Sequence, residues 1–332
     1  MNRLLIIRFS ALGDVAMTVP VITSLANSNP NLSITILTQK RMVDLFSWMP
    51  ANVTVIGVNL HDYHGISGLN RLFQDLKTGN YDFVADLHDV LRTKYLRTRF
   101  RIMGTNVAVI RKGRADRKAL IGHGLNHEPL KPVTEKYAAV FKELGMELEI
   151  NYAPPVVTDA EIPFEVHQPA IGIAPFAAHQ GKVYPLDLMQ KVVDMLADGG
   201  NQVFLFGAGR EEASLLEAWE KTNVTSTVGK CGGLKQEMCL MSRLQMMISM
   251  DSSNMHMAAL MGTRTISVWG ATHPKAGFTA WNQPDESIIQ IPMDCRPCSI
   301  YGSKPCKKGN YPCMREITPE MIVDLARKYG AK

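Results

Sequence analysis

The chain has 332 residues, which suggests about two domains, and 46% of its residues are hydrophobic while 20% are charged. These ordinary values exclude a disordered chain, and the net charge of +5 is modest for this length. No apolar run approaches the roughly 20 residues of a membrane-spanning helix, and the N-terminal run "LLII" is too short for a signal peptide. We therefore expect a cytoplasmic protein with no membrane anchor of its own.

The first half of the chain alternates short runs rich in β-branched residues with helical segments. The predicted strands are residues 3–9, 33–38, 52–58, 81–87 and 105–110. The predicted helices are residues 15–28, 68–79 and 135–146. This alternation predicts βαβ units, and therefore a parallel sheet that is covered by helices on both faces.

Residues 151–170 contain four prolines and show neither helical nor clear strand periodicity, so we predict a linker at 156–170. The alternation then resumes. The predicted strands are residues 170–176, 202–207, 225–229, 246–250, 265–270 and 287–291, and the predicted helices are 185–200, 210–222, 253–262 and 318–329, the last with Thr318 as N-cap. The sequence thus predicts two doubly wound α/β domains, 1–155 and 171–332, with ligands bound outside the carboxyl ends of the strands.

Three turns of the second half follow a predicted strand, precede a predicted helix and carry polar side chains. In "MMISMDSSNMHM" the turn is Asp251, Ser252 and Ser253, and His256 lies in the first helical turn. The free N–H groups of a helix N-terminus suit a diphosphate. Alternatively, Asp251 or Ser252 only caps the helix, and His256 is a core or surface histidine.

The second turn, "FGAGREE", contains Gly207 and Gly209, which permit a tight turn and close approach of a ligand. The third glycine of a dinucleotide motif is absent, and Glu211 or Glu212 either accepts from ribose hydroxyls or favours the helix dipole. The third turn, "AAHQGKVYP", carries Lys182. A lysine there neutralises a diphosphate leaving group, or is an exposed loop residue.

Basic residues are concentrated on both sides of the predicted strand 105–110. Ten Lys and Arg residues stand between Arg92 and Lys118, against one acid, Asp116. Such a block attracts phosphate, carboxylate or an anionic membrane surface, or forms a solvated surface.

Three motifs together resemble the lipopolysaccharide heptosyltransferases, family 9 of the glycosyltransferases. They are "SALGDVAMTVP", the set Pro175, Lys182 and Pro185, and "DSSNMHMAALMGTRTISVWGATHP". The resemblance implies a GT-B fold, with two Rossmann-like domains facing across a cleft, the acceptor in the first and the nucleotide sugar in the second. It implies an inverting, metal-independent transfer of heptose from ADP-heptose to the inner core of lipopolysaccharide, at the inner face of the cytoplasmic membrane.

The resemblance also implies roles for single residues. Asp14 matches the general base for the acceptor hydroxyl, although an aspartate in such a turn also serves as a helix N-cap. Lys182 matches the lysine that stabilises the departing diphosphate. The predicted donor-binding residues are Asp251, Ser252, Ser253, His256, Gly207, Gly209, Glu211, Ala178 and His179. The basic block in the predicted acceptor domain fits the phosphates and acidic sugars of such an acceptor, and the predicted acceptor-binding residues are Ser10, Arg92, Arg97 and Arg99.

The chain departs from the family pattern at the predicted donor site. Ala177 and Ala178 stand where threonines often precede the lysine, His179 is a candidate replacement, and Gly209 stands where a glutamate is expected. The sequence therefore leaves open that the donor is another nucleotide sugar. It also leaves open that the protein is a nucleotide-sugar epimerase or a non-enzymatic zinc-stabilised module. No motif predicts a nucleic-acid partner.

Four of the six cysteines, Cys295, Cys298, Cys306 and Cys313, lie in one short segment near the C-terminus. The first two have the C-x₂-C spacing of zinc sites, but the later pair is more widely spaced than is common. We predict free thiols or a local disulfide over a structural zinc. No cofactor is predicted, because the nucleotide sugar is a substrate.

Overall fold

The computed structural model describes residues 2–332, without the side chains of Leu125 and Asp159, and contains two α/β units. The strands are β1 (Arg3–Ile7), β2 (Ser33–Gln39), β3 (Val53–Val58), β4 (Phe83–Asp86), β5 (Asn106–Val109), β6 (Ala170–Ala174), β7 (Gln202–Leu205), β8 (Val224–Ser226), β9 (Met246–Met250), β10 (Arg264–Trp269) and β11 (Ile288–Gln290). The helices are α1 (Leu12–Ala16), α2 (Val19–Ser28), α3 (Gly65–Lys77), α4 (Leu91–Ile102), α5 (Arg114–His123), α6 (Val133–Glu143), α7 (Leu186–Asp198), α8 (Gly209–Glu217), α9 (Leu234–Met241), α10 (Ser253–Leu260), α11 (Pro312–Arg315) and α12 (Pro319–Lys328). Every predicted strand is present, and Thr318 caps α12 as predicted by accepting from the backbone N–H of Met321.

Each unit is built on one parallel sheet. The first sheet has the order β3-β2-β1-β4-β5, and the second has the order β11-β10-β9-β6-β7-β8. In both sheets the chain order reverses beside the first strand, between β1 and β4 and between β6 and β9. Ligands of doubly wound sheets bind outside the carboxyl ends of the strands at this switch point. The loops after these four strands are therefore the places to look for a site.

The strands that flank these switch points are buried and rich in apolar residues, because helices cover both faces of each sheet. β1 carries four fully buried apolar residues, Leu4, Leu5, Ile6 and Ile7, and β6 and β9 are buried along their whole length. These continuous runs explain why the strands were recognisable from the sequence. No helix among residues 2–332 is long and apolar enough to cross a bilayer.

The predicted helix 15–28 is wrong in its extent, because the structure contains two helices there. α1 ends at Ala16, and α2 begins at Val19 after Thr18 in the N-cap position. Pro20 lies in the first turn of α2, where its missing N–H costs no intrahelical hydrogen bond. A proline at that place favours a new helix start over the middle of one long helix.

The units do not divide the chain at a single point. One unit contains the chain up to Lys112 together with Val133–Ala153, and the other contains Gly113–Pro132 and Pro154–Lys332. The predicted boundary at 155 lies close to the last of these changes, but the predicted first domain, 1–155, includes 113–132. That segment belongs to the second unit because its apolar side chains pack there. Leu120 and Leu130 form a buried cluster with Ala276 and Ile300.

Candidate functional site

In the second unit, three neighbouring strands bring a lysine, an aspartate and a threonine together. Lys182 lies in the loop after β6, Asp251 follows β9 directly, and Thr272 lies in the loop after β10. Lys182 Nζ is 2.9 Å from Asp251 Oδ2, and the Thr272 hydroxyl donates to the same oxygen at 2.8 Å. The side chain of Asp251 is 5% exposed and that of Lys182 is 17% exposed. Both contacts fall on Oδ2, and no hydrogen bond to Oδ1 is found among the described residues.

Two glycines leave room for the close packing around Lys182. Gly302 has a φ of +74°, and a Cβ there would lie 2.8 Å from Cγ of Lys182. A Cβ on Gly181 would lie 2.8 Å from both the Gly302 carbonyl oxygen and the Cβ of Ala271. The Ala271 N–H also donates to the Gly181 carbonyl at 2.9 Å. The lysine is therefore packed between the loop after β10 and the cysteine-rich segment, which contains Gly302.

The turn after β9 leads into α10, whose N-terminus lies beside Asp251. Ser252 occupies the N-cap position, and its Oγ lies 3.1 Å from Ser249 Oγ. Ser253 is the first helical residue, and His256 is buried in the same helix, so it is not a surface histidine. The first N–H groups of a helix have no intrahelical acceptor and can donate to an anion. The side chain of Ser252 makes no capping bond to the helix, so capping does not account for this serine.

The other predicted donor residues lie at the same edge of the sheet, because β7 is the neighbour of β6. Ala178 and His179 are exposed in the loop after β6. Gly209 begins α8 with a φ of +78°, and the carboxylate of Glu212 accepts from the Ala208 N–H at 2.7 Å. Glu212 therefore closes the turn, whereas Glu211 is exposed and Gly207 half-buried.

In the first unit, Asp14 lies at the carboxyl end of β1 as an ion-pair partner of Arg8. The guanidinium of the buried Arg8 lies 2.7 Å from Asp14 Oδ2 and also donates to the Leu87 carbonyl at 2.6 Å. The Ala11 N–H donates to the same Asp14 oxygen at 3.3 Å. Ala11 is the N-cap of α1, so the alternative that Asp14 is an N-cap is wrong. Asp14 is 26% exposed, and its Oδ1 has no partner within residues 2–332.

The loop after β4 adds a histidine that the sequence analysis missed. His88 Nε2 lies 3.3 Å from the hydroxyl oxygen of Ser10, four residues before Asp14. Burial, together with the charge of Arg8, lowers the pKa of His88 to about 4. His88 is therefore neutral near pH 7. The one signal for it in the sequence is its place directly after the predicted strand 81–87.

The sequence matches glycosyltransferase family 9 (heptosyltransferase) over residues 69–309. The chain belongs to this family. It is thus a glycosyltransferase. Lipopolysaccharide heptosyltransferase 3 of Escherichia coli K12 is 25% identical over 302 residues, which cover 84% of each chain. Lipopolysaccharide heptosyltransferase 1 of Pseudomonas aeruginosa is 25% identical over 315 residues, which cover 89% of this chain and 86% of that one.

Solved structures of heptosyltransferases share the fold of this glycosyltransferase. Escherichia coli WaaC with ADP has a TM-score of 0.72 at 18% identity, covering 99% of this chain and 100% of that one. Escherichia coli ADP-heptose lipopolysaccharide heptosyltransferase II has a TM-score of 0.74 at 19% identity, covering 99% and 98%. The predicted fold class, GT-B with two Rossmann-like units, is confirmed.

Internal partners engage part of the basic block of this glycosyltransferase. The Arg97 guanidinium lies 2.7 Å from Asp86 Oδ2 and 2.9 Å from Asp89 Oδ1. Arg99 donates to the Asn70 side chain at 3.1 Å and covers the ring of Phe73. Arg92 lies half-buried near the start of α4. The block is also divided between the two units after Lys112, so it is not one continuous surface of either unit.

The cysteine-rich segment of the glycosyltransferase contains four free thiols rather than a disulfide. Among residues 2–332, no group of three or more His, Cys, Asp or Glu side chains is arranged to hold a metal ion. Between Cys295 and Cys298 the chain buries Arg296, whose guanidinium donates to the carbonyls of Gly270 at 2.5 Å and Thr272 at 2.9 Å. This segment therefore supports the loop after β10, where Thr272 contacts Asp251.

Proposed function

We propose that this glycosyltransferase transfers a heptose from ADP-heptose to an inner-core sugar of lipopolysaccharide, with inversion at the anomeric carbon. The acceptor in this proposal is a lipid-linked anionic saccharide at the inner face of the cytoplasmic membrane. The observation that carries the proposal is the Lys182–Asp251–Thr272 cluster at the switch point of the second sheet, in a chain of this family. The names of the curated relatives support heptose as the sugar and lipopolysaccharide as the acceptor.

In the proposed donor site, positive charge binds the diphosphate and hydrogen bonds bind the sugar. The Lys182 ammonium and the N–H groups at the start of α10 are suited to the diphosphate, since both carry positive charge. Oδ1 of Asp251 accepts a hydrogen bond from a hydroxyl of the sugar. The hydroxyls of Ser252 and Ser253 add donors to the phosphates.

In the proposed reaction the acceptor oxygen forms a bond to the anomeric carbon of the heptose. The bond from that carbon to the β-phosphate oxygen breaks, and its electron pair leaves with ADP. The hydroxyl proton passes to Oδ1 of Asp14, the carboxylate oxygen that Arg8 does not contact. The ion pair to Arg8 through Oδ2 keeps the carboxylate oriented during this step.

The test measures ADP release and sugar transfer with purified protein, ADP-heptose and a lipopolysaccharide precursor that lacks heptose. We expect Asp14→Asn to reduce transfer by about a hundredfold or more, while ADP-heptose still binds. Asp75→Asn, at an exposed position of the same unit, is the control and should leave transfer unchanged. Undiminished transfer by a folded Asp14→Asn variant would overturn the assignment of the base.

A different nucleotide sugar is the second candidate, because Ala177, Ala178 and Gly209 depart from the family pattern around the donor. UDP-, GDP- and other ADP-sugars are therefore assayed beside ADP-heptose. Faster turnover of one of them would retain the glycosyltransferase chemistry and replace the heptose in the proposal.

A further inference from the structure

Large apolar side chains are exposed on α4 and at its end, in a pattern that the proposed donor and base residues do not explain. Leu91 and Ile102 are 85% and 77% exposed, and Met103, directly after the helix, is also exposed. Across residues 2–332 seven large hydrophobic residues are at least 41% exposed, and three of the seven lie on or beside this one helix. Clustered exposed apolar residues of this kind mark an interaction surface more often than scattered ones do.

The helical repeat places these residues on one face. Leu91, Lys94, Thr98, Arg101 and Ile102 follow one another at spacings of three, four, three and one, which keep them on one side of a helix with 3.6 residues per turn. All five are exposed. The buried residues of α4, Thr93, Leu96 and Phe100, form the opposite side. The exposed face, defined by those five residues, extends for about 16 Å along the helix axis, given a rise of 1.5 Å per residue.

Charge on the exposed face has one sign. No Asp or Glu occurs between Asp89 and Asp116, so Lys94 and Arg101 have no acidic neighbour on their helix. Arg101 donates to the carbonyl of Val107 at 3.3 Å, a contact that leaves its positive charge uncompensated. Arg97, by contrast, is paired with the carboxylates of Asp86 and Asp89, so its positive charge is compensated.

We propose that the exposed face of α4 docks on an anionic lipid bilayer. Its two apolar residues, Leu91 and Ile102, and its cations, Lys94 and Arg101, match the boundary between acyl chains and phosphate headgroups, where Leu and Ile insert and Lys and Arg remain at the phosphates. A protein partner would have to match two cations with carboxylates, whereas a bilayer of anionic lipid supplies phosphates at any position. The inference rests on the proposed function only in that a lipid-linked acceptor gives this surface its use.

The test is co-sedimentation of the full chain with vesicles of phosphatidylethanolamine and phosphatidylglycerol, compared with vesicles of phosphatidylcholine alone. Wild-type protein should bind the anionic vesicles more tightly, and salt should weaken the binding. Lys94→Glu/Arg101→Glu should weaken it by about twentyfold or more, since each basic residue at an anionic surface contributes about fivefold. Leu91→Ser/Ile102→Ser should also weaken it, through lost apolar insertion.

Matched controls lie in the other unit. Lys307→Glu/Lys308→Glu makes the same change of charge at exposed positions, and Val156→Ser/Met321→Ser removes two exposed apolar side chains. Neither should alter vesicle binding. Thr98→Lys adds a cation to the exposed face and should tighten binding by about fivefold, a gain that misfolding cannot produce.

The outcomes separate docking from transfer, because the vesicles contain no acceptor. Vesicle binding that is unaffected by the α4 variants, or equal binding to neutral and anionic vesicles, would overturn the proposal. Loss of transfer to a deacylated, water-soluble acceptor in the α4 variants would also overturn it, since the face would then be an acceptor subsite. Docking through α4 by a protein that transfers no heptose would leave the inference standing and refute the proposed function instead.

Discussion

Lys182→Met tests whether the lysine serves only to neutralise Asp251 or also binds the diphosphate of the donor. The ion pair is 2.9 Å long, and the Asp251 side chain is 5% exposed, so the substitution leaves a buried carboxylate with Thr272 as its one remaining partner among the described residues. Removing one member of a buried pair costs about 3–5 kcal/mol. The partial exposure of Lys182 favours the lower end, which corresponds to a decrease in Tm of roughly 6–12 °C for a unit of about 200 residues.

The double variant Lys182→Met/Asp251→Asn separates the two roles. The asparagine carries no charge and still accepts from Thr272, so we expect the double variant to recover at least about 1 kcal/mol relative to additive losses. Thermal or urea unfolding of the four proteins measures this coupling. Losses that add to within about 0.5 kcal/mol would refute the ion-pair reasoning.

ADP and adenosine affinities complete this test. If the ammonium contacts the diphosphate, Lys182→Met weakens ADP binding both in the wild-type background and in the Asp251→Asn background, whereas adenosine binding stays constant. Equal ADP affinity with and without the lysine would restrict Lys182 to the neutralisation of Asp251. Calorimetric titration gives both affinities under one set of conditions.

Three further variants test other contacts. Arg8→Gln removes the 2.7 Å ion pair to Asp14 and should lower kcat about tenfold or more with little change in the donor KM, because the base loses its orientation. Steady-state kinetics in which only the donor KM changes would contradict this. The pKa of His88, about 4 when folded against 6.5 ordinarily, means that the unfolded chain binds the proton first as the pH falls, so stability decreases from about pH 6.5 to 4. His88→Asn should flatten that decrease in urea unfolding while exposed His167→Asn should not, and an unchanged slope in His88→Asn would be the contrary result. Arg296→Met leaves several buried carbonyl oxygens without a donor and should lower the free energy of unfolding by about 3 kcal/mol or more, measured by thermal unfolding. Arg296→Lys should recover only part of this loss, and full stability of the lysine variant would argue against the role of the planar guanidinium.

The alternation of elements could be predicted because buried parallel strands consist of continuous apolar runs with β-branched residues. The same reasoning predicts that Lys182 and Asp251 lie at one edge of a sheet, and the carboxyl ends of β6 and β9 do share that edge. The fold of each unit and the proposed donor loops were therefore accessible from local patterns. The order of the strands, which makes these loops the switch point, was not.

Side-chain partners were the part that sequence could not supply. Thr272 stands in a quoted motif, but its contact with Asp251 depends on the path of the loop after β10. Arg97 was expected on an acceptor surface because it lies among other cations, and only the turn after β4 brings Asp86 and Asp89 to it. Charge counts along a sequence do not reveal which cations are neutralised by residues from other elements.

The assignment of Gly113–Pro132 to the second unit has a consequence for dissecting this enzyme. The chain passes from one unit to the other three times, after Lys112, Pro132 and Ala153, so the units are joined by three peptide segments. A gene fragment that ends at Ala153 would encode Leu120 and Leu130 without the residues of the second unit that bury them. The remaining fragment, from Pro154 onward, would lack the two leucines that pack on Ala276 and Ile300. Independent expression of the second unit therefore requires grafting residues 113–132 onto it through a new linker, and a simple cut at the proline-rich boundary yields two incomplete pieces.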